Sequence, residues 1–315
     1  MQGKPVGYPL PTHLSLSDMI YHITKHPTTR PTSFAFFGSS SLSVFALEEL
    51  RATGLTPRLV VTFPGRRQGR GMRLTLNPVR AWADSEGIEA LTPEALDDAV
   101  AKRLQDADCP FFLVVAYGKI LRRNILDIPP LGILNIHPSL LPRFRGASPV
   151  RSTILANETP GVSVMLLDEE MDHGPIIAQK KVEWEEWPPH ALSLEEALIR
   201  EGARLLAQVL PEWLRGELLP QAQNHDIATY CKKLAKEDGL LDFSLPPRDL
   251  LIKIRALEGW PGSYAFFKKR GGKTLRVQIL DAHLEGSALV IDSVKPEGKG
   301  AMRYTDFTRS GARLT

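Results

Sequence analysis

The stretch LGILNIHPSLLPRFRGASP, residues 131–149, places two polar side chains at the end of an apolar run. The apolar residues predict a buried strand, and Asn135 and His137 follow at its tip. Because side chains alternate along a strand, these two share one face. There an amide can donate to a developing oxyanion and an imidazole can move a proton. The alternative is that the polar pair only anchors the following loop.

Apolar runs and helical patterns alternate around this strand. Strands apolar on both faces, separated by helices, predict a parallel, doubly wound sheet whose ligands bind at the carboxyl ends of the strands. The turn FFGSSS after the first strand lacks G-x-G-x-x-G, which disfavours a dinucleotide cofactor. The predicted strands lie in residues 33–38, 57–63, 109–118, 162–168 and 174–184, and the predicted helices in 42–54, 77–87, 95–108 and 193–216.

Composition excludes several classes of protein. The 315 residues are 43% hydrophobic and 24% charged with a net charge of +3, which is ordinary for a soluble protein with room for two domains. No apolar run is long enough for a membrane span or a signal peptide. Cys109 and Cys231 lack metal-ligand spacing, so neither a disulfide framework nor a metal site is expected. These features predict a cytoplasmic protein without membrane association.

The chain is predicted to have four segments. Residues 1–32 form a Pro-rich and His-rich N-terminal extension, and 33–217 form the catalytic α/β domain. Residues 218–239 form a polar linker with a short helix, and 240–315 form a small β-rich domain containing a hairpin at Arg-Gly-Gly. We expect Trp260 of this last domain to be a core residue.

A carboxylate is also available to orient the imidazole. DEEMDHGPI places Asp172 on a loop that can return to the same crevice as Asn135 and His137. Asn, His and Asp without a Ser or Cys nucleophile indicate direct acyl transfer to an amine, with no covalent enzyme intermediate. His173 is a rival general base, although its side chain is expected to point away from that of Asp172.

These motifs resemble a known family. NIHPSLLPRFRGASP is similar to the Asn-x-His signature of the folate-dependent formyltransferases, with its Ser-Leu-Leu-Pro turn, and residues 161–176 resemble their Asp-x-Gly signature. The resemblance covers nearly everything from residue 33 onward. It implies a Rossmann-like formyltransferase domain followed by an OB-like C-terminal domain. That second domain is expected to be shortened here, and the extension 1–32 could cover its open edge.

The resemblance also implies the donor and the site residues. The donor would be 10-formyltetrahydrofolate, and the catalytic residues would be Asn135, His137 and Asp172, with Asp172 positioning His137. The expected folate contacts are Tyr117, Gly118, Ser139, Leu140 and Pro142.

An Arg-Gly segment points to the acceptor. Residues 64–80 carry five arginines and no acidic residue, a composition suited to phosphate contacts or to a solvated charged loop. The segment resembles the long loop in the branch of the family that formylates initiator methionyl-tRNA, and the chain is expected to be a monomer. The resemblance implies tRNA contacts by Arg66, Arg67, Arg70 and Arg73.

The sequence is also compatible with other activities. A glycinamide ribonucleotide or nucleotide-sugar formyltransferase would share the three catalytic residues, and a formyltetrahydrofolate hydrolase would use them with water as acceptor. The Arg segment and the linker ATYCKKLAKED weigh against these enzymes. A non-catalytic RNA-binding relative would have no need of the catalytic residues.

Overall fold

A computed structural model describes residues 33–68, 73–75, 77–269, 272–309, 311 and 313–314. The predicted extension 1–32 lies outside these residues. The described chain divides into two compact units. The first contains the residues up to Pro142, Val162–Lys180 and Ile199–Ile227, and the second contains Arg143–Gly161, Lys181–Leu198 and Ala228 onward.

The strands alternate with helices through most of the chain. The strands are β1 (Phe34–Phe37), β2 (Leu59–Val61), β3 (Arg66–Gln68), β4 (Arg73–Thr75), β5 (Glu89–Leu91), β6 (Phe111–Val114), β7 (Ile133–His137), β8 (Arg145–Gly146), β9 (Gly161–Leu166), β10 (Ile176–Lys181), β11 (Tyr230–Cys231), β12 (Ser263–Lys268), β13 (Thr274–Glu285), β14 (Ala288–Pro296), β15 (Met302–Arg303) and β16 (Arg313–Leu314). The helices are α1 (Ser41–Ala52), α2 (Pro78–Ser85), α3 (Asp98–Asp106), α4 (Arg123–Leu126), α5 (Pro149–Leu155), α6 (Ala191–Leu214), α7 (Pro247–Ala256) and α8 (Tyr304–Thr308).

The first unit is built on a mostly parallel sheet with the strand order β10-β9-β7-β6-β1-β2-β5. The β1, β2, β5, β6 and β7 pairings are parallel, whereas β9 runs antiparallel to β7. The chain builds outward from β1 in both directions, so the topological switch point lies between β1 and β6. Such crevices bind ligands in doubly wound sheets.

Both faces of this sheet are covered by apolar packing. Phe34 and Phe36 of β1 belong to one buried cluster, while Ala35 and Phe37 belong to another. Trp213 of α6 is buried in the first cluster, edge-on to a phenylalanine of β6. Alternate residues of the same strand therefore enter different cores, which confirms the predicted doubly wound architecture.

The second unit contains an antiparallel sheet with the strand order β15-β14-β13-β12-β16. Its inner face packs on α7 and α8 around Phe267, Val277 and Phe307, and it confirms the predicted β-rich C-terminal part as a half-barrel. The predicted hairpin is the antiparallel pairing of β12 with β13. A two-stranded parallel pairing joins β8 to β11 within this unit.

The described linker contains two short 3-10 helices, at His225–Ile227 and Lys236–Gly239. One residue differs from the sequence prediction. Trp260 is 61% exposed rather than buried. Its carbonyl accepts a hydrogen bond from Arg151 at 3.2 Å, so the backbone is anchored while the indole faces solvent.

Candidate active site

Asn135 and His137 lie at the carboxyl end of β7, as the alternation of side chains predicts. Both side chains are buried, with Asn135 9% and His137 4% exposed. Leu134 and Ile136, before and between them, enter the opposite core cluster, which fixes the polar pair on the other face. Within the described residues, none hydrogen-bonds to the carboxamide of Asn135. Its N–H groups can therefore donate to a substrate oxygen.

Asp172 reaches the same place from the loop after β9. Its Oδ1 lies 3.6 Å from Nδ1 of His137, and the Asp side chain is 14% exposed. Asp172 has a φ of +51°, a left-handed conformation that costs energy for a residue with a side chain. Gly174 permits the turn, since a Cβ there would lie 2.1 Å from the carbonyl oxygen of Leu166. The loop is thus shaped by close backbone packing.

The rival base His173 faces elsewhere. Its Nδ1 lies 2.7 Å from Oδ2 of Asp168, and its ring stacks on that of His225 with centroids 4.1 Å apart. The structure therefore brings Asp172, and not His173, to His137.

The turn after β7 is held by side chains that sequence reasoning missed. Ser163 Oγ donates to the carbonyl of Ser139 at 2.6 Å and accepts from the backbone N–H of Leu141 at 3.1 Å. Gln179 Nε2 donates to the carbonyl of Leu141 at 2.7 Å and to Ser163 Oγ at 2.8 Å. A serine inside the apolar run GVSVML was the available signal. These bonds fix residues 139–142, where three of the predicted folate contacts lie.

The other two predicted folate contacts follow β6. The ring of Tyr117 is buried between Phe37 and Phe63, with centroids 5.4 and 5.0 Å away. Burial raises the pKa of Tyr117 to about 12. Gly118 is exposed with a φ of +80°.

Hydroxyl groups from the first βα turn hold this strand end. Ser39 Oγ donates to the carbonyl of Tyr117 at 2.9 Å, and Ser43 Oγ donates to that of Val115 at 2.7 Å. The backbone after β6 is therefore fixed at the switch point, while the Tyr117 ring belongs to the core.

The arginine segment forms an antiparallel hairpin. Arg66 and Arg67 lie on β3 and Arg73 lies on β4, with Arg67 opposite Leu74 in the register. Arg70 lies outside the described residues. The hairpin backbone therefore brings three of the four predicted tRNA-binding residues onto one small element.

The site has the composition of an acyl-transfer centre. A donor amide, an imidazole and a carboxylate converge at the carboxyl end of a sheet, beside a crevice at the switch point. No cluster of three metal-ligating side chains occurs among the described residues. Within the same ranges no helix has the length and apolarity to span a membrane.

Comparison with known proteins gives close relatives along most of the chain. It is 48% identical over 246 residues to the methionyl-tRNA formyltransferase of Chloroflexus aurantiacus, covering 77% of each chain. It is 38% identical over 304 residues to that of Roseiflexus castenholzii, covering 89% of this chain and 96% of the relative.

Solved structures share the fold. Methionyl-tRNA formyltransferase from Clostridium thermocellum superposes with a TM-score of 0.56 at 15% identity, covering 86% of this chain and all of that one (100%). A 4-N formyltransferase from Francisella tularensis gives a TM-score of 0.59 at 16% identity, covering 81% and 98%.

Two family profiles match in sequence order. The profile described as "Formyl transferase, C-terminal domain" matches residues 233–288, and the one described as "Formyl transferase" matches residues 33–210. The match over residues 33–210 spans more than half of the chain, and the chain therefore belongs to the formyl transferase family.

Proposed function

We propose that this chain transfers a formyl group from 10-formyltetrahydrofolate to the α-amine of methionyl-initiator-tRNA. The observation that carries the proposal is its 48% identity, over 77% of both chains, to a relative named methionyl-tRNA formyltransferase. The matched C-terminal profile adds to it, because both parts of the family architecture are present.

The chemistry is direct attack of the amine on the formyl carbon. A C–N bond forms to the amine, and the carbonyl oxygen becomes an oxyanion that the amide of Asn135 stabilises. The amine loses a proton while the bond from the formyl carbon to N10 of the folate breaks, and N10 regains a proton. His137 is placed for proton transfer, and Asp172, 3.6 Å away, orients its ring.

The donor is proposed to lie against the two fixed backbone segments at the carboxyl ends of β6 and β7. Ser139, Leu140 and Pro142 supply one side of that site. Tyr117 and Gly118 supply the other, with Tyr117 contributing its backbone because its ring is packed into the core.

The acceptor tRNA is proposed to be held by the arginine hairpin. Arg66, Arg67, Arg70 and Arg73 would contact phosphates, and each lost contact should weaken binding and reduce its salt dependence. We further propose that the enzyme acts as a cytoplasmic monomer with the boundaries 33–217, 218–239 and 240–315. Sedimentation of the purified chain tests its oligomeric state.

A formyl-transfer assay tests the proposal. We expect transfer to initiator methionyl-tRNA, with much slower transfer to elongator methionyl-tRNA and none to small amines. Asn135→Ala and His137→Ala should each lower kcat by roughly 100-fold or more, because each removes oxyanion or acid–base assistance.

Matched variants control for nonspecific effects. Asn124→Ala removes an exposed amide that bonds only to the carbonyl of Leu96, and His283→Ala removes an exposed imidazole paired with Asp292. Both should retain normal kcat. Transfer to small amines alone would overturn the proposed acceptor, and near-normal turnover by both Asn135→Ala and His137→Ala would overturn the assigned site.

A further inference from the structure

Gln223 lies in the segment after α6 that the sequence suggests is only a linker. Its side chain is buried, at 5% exposure. Its Nε2 donates to the carbonyl of Asp172 at 2.9 Å and to that of Gly174 at 2.7 Å. Both bonds reach the backbone of the loop that carries the catalytic carboxylate.

The backbone delivers Gln223 to this position through a short strand-like pairing. The N–H of Gln221 donates to the carbonyl of Ile176, and the N–H of Ile176 donates to that of Gln221, both at 2.8 Å. This antiparallel bridge sets the register of the segment against the end of the Asp172 loop. Alternation then places the side chain of residue 223 on the loop carbonyls.

The polarity of this contact is specific. Two carbonyl oxygens can be satisfied by the two N–H groups of one carboxamide, whereas a carboxylate has the same shape but only acceptors. Buried carbonyls facing a carboxylate would be repelled, and the loop would have to move.

The Asp172 loop needs such support. Asp172 occupies the left-handed region at φ +51°. Its carboxylate is 3.6 Å from the His137 nitrogen, longer than a direct hydrogen bond. The backbone conformation of the loop sets where this carboxylate lies relative to the imidazole of His137.

We propose that Gln223 is a positioning residue for the formyl-transfer reaction, holding the Asp172 loop so that the carboxylate orients His137. The inference rests on the proposed function, because it assigns Gln223 a role through Asp172. In this role Gln223 contacts the loop backbone and takes no part in the chemical steps.

The test compares Gln223→Glu with Gln221→Glu. The Gln221 side chain is exposed and bonds to Ile176 only through its backbone, so the control makes the same chemical change two residues away. Steady-state kinetics use 10-formyltetrahydrofolate and initiator methionyl-tRNA between pH 5.5 and 8.5. Thermal unfolding shows that each variant is folded at the assay temperature.

We expect Gln223→Glu to lower kcat about 10- to 100-fold near pH 7.5, as a shift on the order of 1 Å in a catalytic group does. The KM values of the variant for both substrates should stay within about threefold of those of the wild type, because no substrate-binding contact is changed. The kcat ratio of variant to wild type should rise as the pH falls, because protonation of the introduced carboxylate restores one donor. The ratio for Gln221→Glu should stay near one at every pH.

A double-mutant cycle separates positioning from general destabilisation. In an Asp172→Asn background, Gln223→Ala should cause no further loss of kcat, since its effect passes through the carboxylate. A wild-type enzyme inactive on methionyl-tRNA would overturn the proposed function. An active wild type whose Gln223→Glu variant keeps normal kcat, or whose Gln223 and Asp172 effects multiply, would overturn this inference alone.

Discussion

Replacing Gly174 by alanine should damage catalysis more than stability. The added Cβ would lie 2.1 Å from the carbonyl oxygen of Leu166, which is backbone and cannot swing aside. Opening that contact to 3.4 Å, the beginning of ordinary van der Waals contact, moves the loop by about 1.3 Å. Asp172 is two residues away, so its carboxylate should shift by a similar distance relative to His137. We expect kcat to fall about 100-fold.

The assay measures kcat at saturating donor and initiator methionyl-tRNA, together with the thermal midpoint. Overpacking of this kind should lower the free energy of unfolding by about 1–3 kcal/mol, which leaves the enzyme folded at 25 °C. Gly300→Ala is the matched control, because a Cβ at Gly300 meets nothing within 4 Å, and it should behave as wild type. A Gly174→Ala enzyme with kcat within about threefold of wild type would refute the reasoning.

Three other perturbations test separate parts of the molecule. Arg151→Met should reduce the free energy of unfolding by about 3 kcal/mol in a denaturant titration, because it leaves Glu195, a partner only 15% exposed, without the Arg151 guanidinium. Burial raises the pKa of Glu195 in the folded protein, so protonation of this carboxyl stabilises the folded state at low pH. This stabilisation is lost as the pH rises, so the loss of unfolding free energy caused by Arg151→Met should be smallest at acidic pH. An equal loss at every pH would contradict the prediction. Ser163→Ala leaves buried backbone groups of the predicted folate-binding turn unpaired and should raise the KM for 10-formyltetrahydrofolate about tenfold. An unchanged KM would show that this turn does not contribute to donor binding. Burial raises the pKa of the Cys109 thiol, so iodoacetamide should alkylate the half-buried Cys231 first and Cys109 only on unfolding, as peptide mass mapping would show.

The part of the site that sequence predicts well is local. Asn135 and His137 sit on one strand, and alternation alone places them on one face. The two-sided apolar strands likewise predict the doubly wound sheet, because burial on both faces leaves a continuous apolar run.

The remaining features depend on contacts between distant segments. Ser163 and Gln179, which support the turn after β7, lie on later strands, and Gln223 reaches the Asp172 loop across 51 residues. Neither secondary-structure propensity nor hydrophobic periodicity predicts contacts between residues so far apart in sequence. The packing of the Tyr117 ring between Phe37 and Phe63 is another contact between distant segments that local sequence does not report.

The second unit is assembled from separate pieces of the chain, and this has a consequence for how the protein can be divided. Ile252 and Ala256 of α7 bury their side chains against Val150, Ile154 and Leu194, which precede them by tens of residues. A fragment beginning at residue 240 would expose that apolar surface. The C-terminal part therefore cannot be removed or exchanged without exposing apolar surface, and during synthesis the cluster is complete only after α7 has been made.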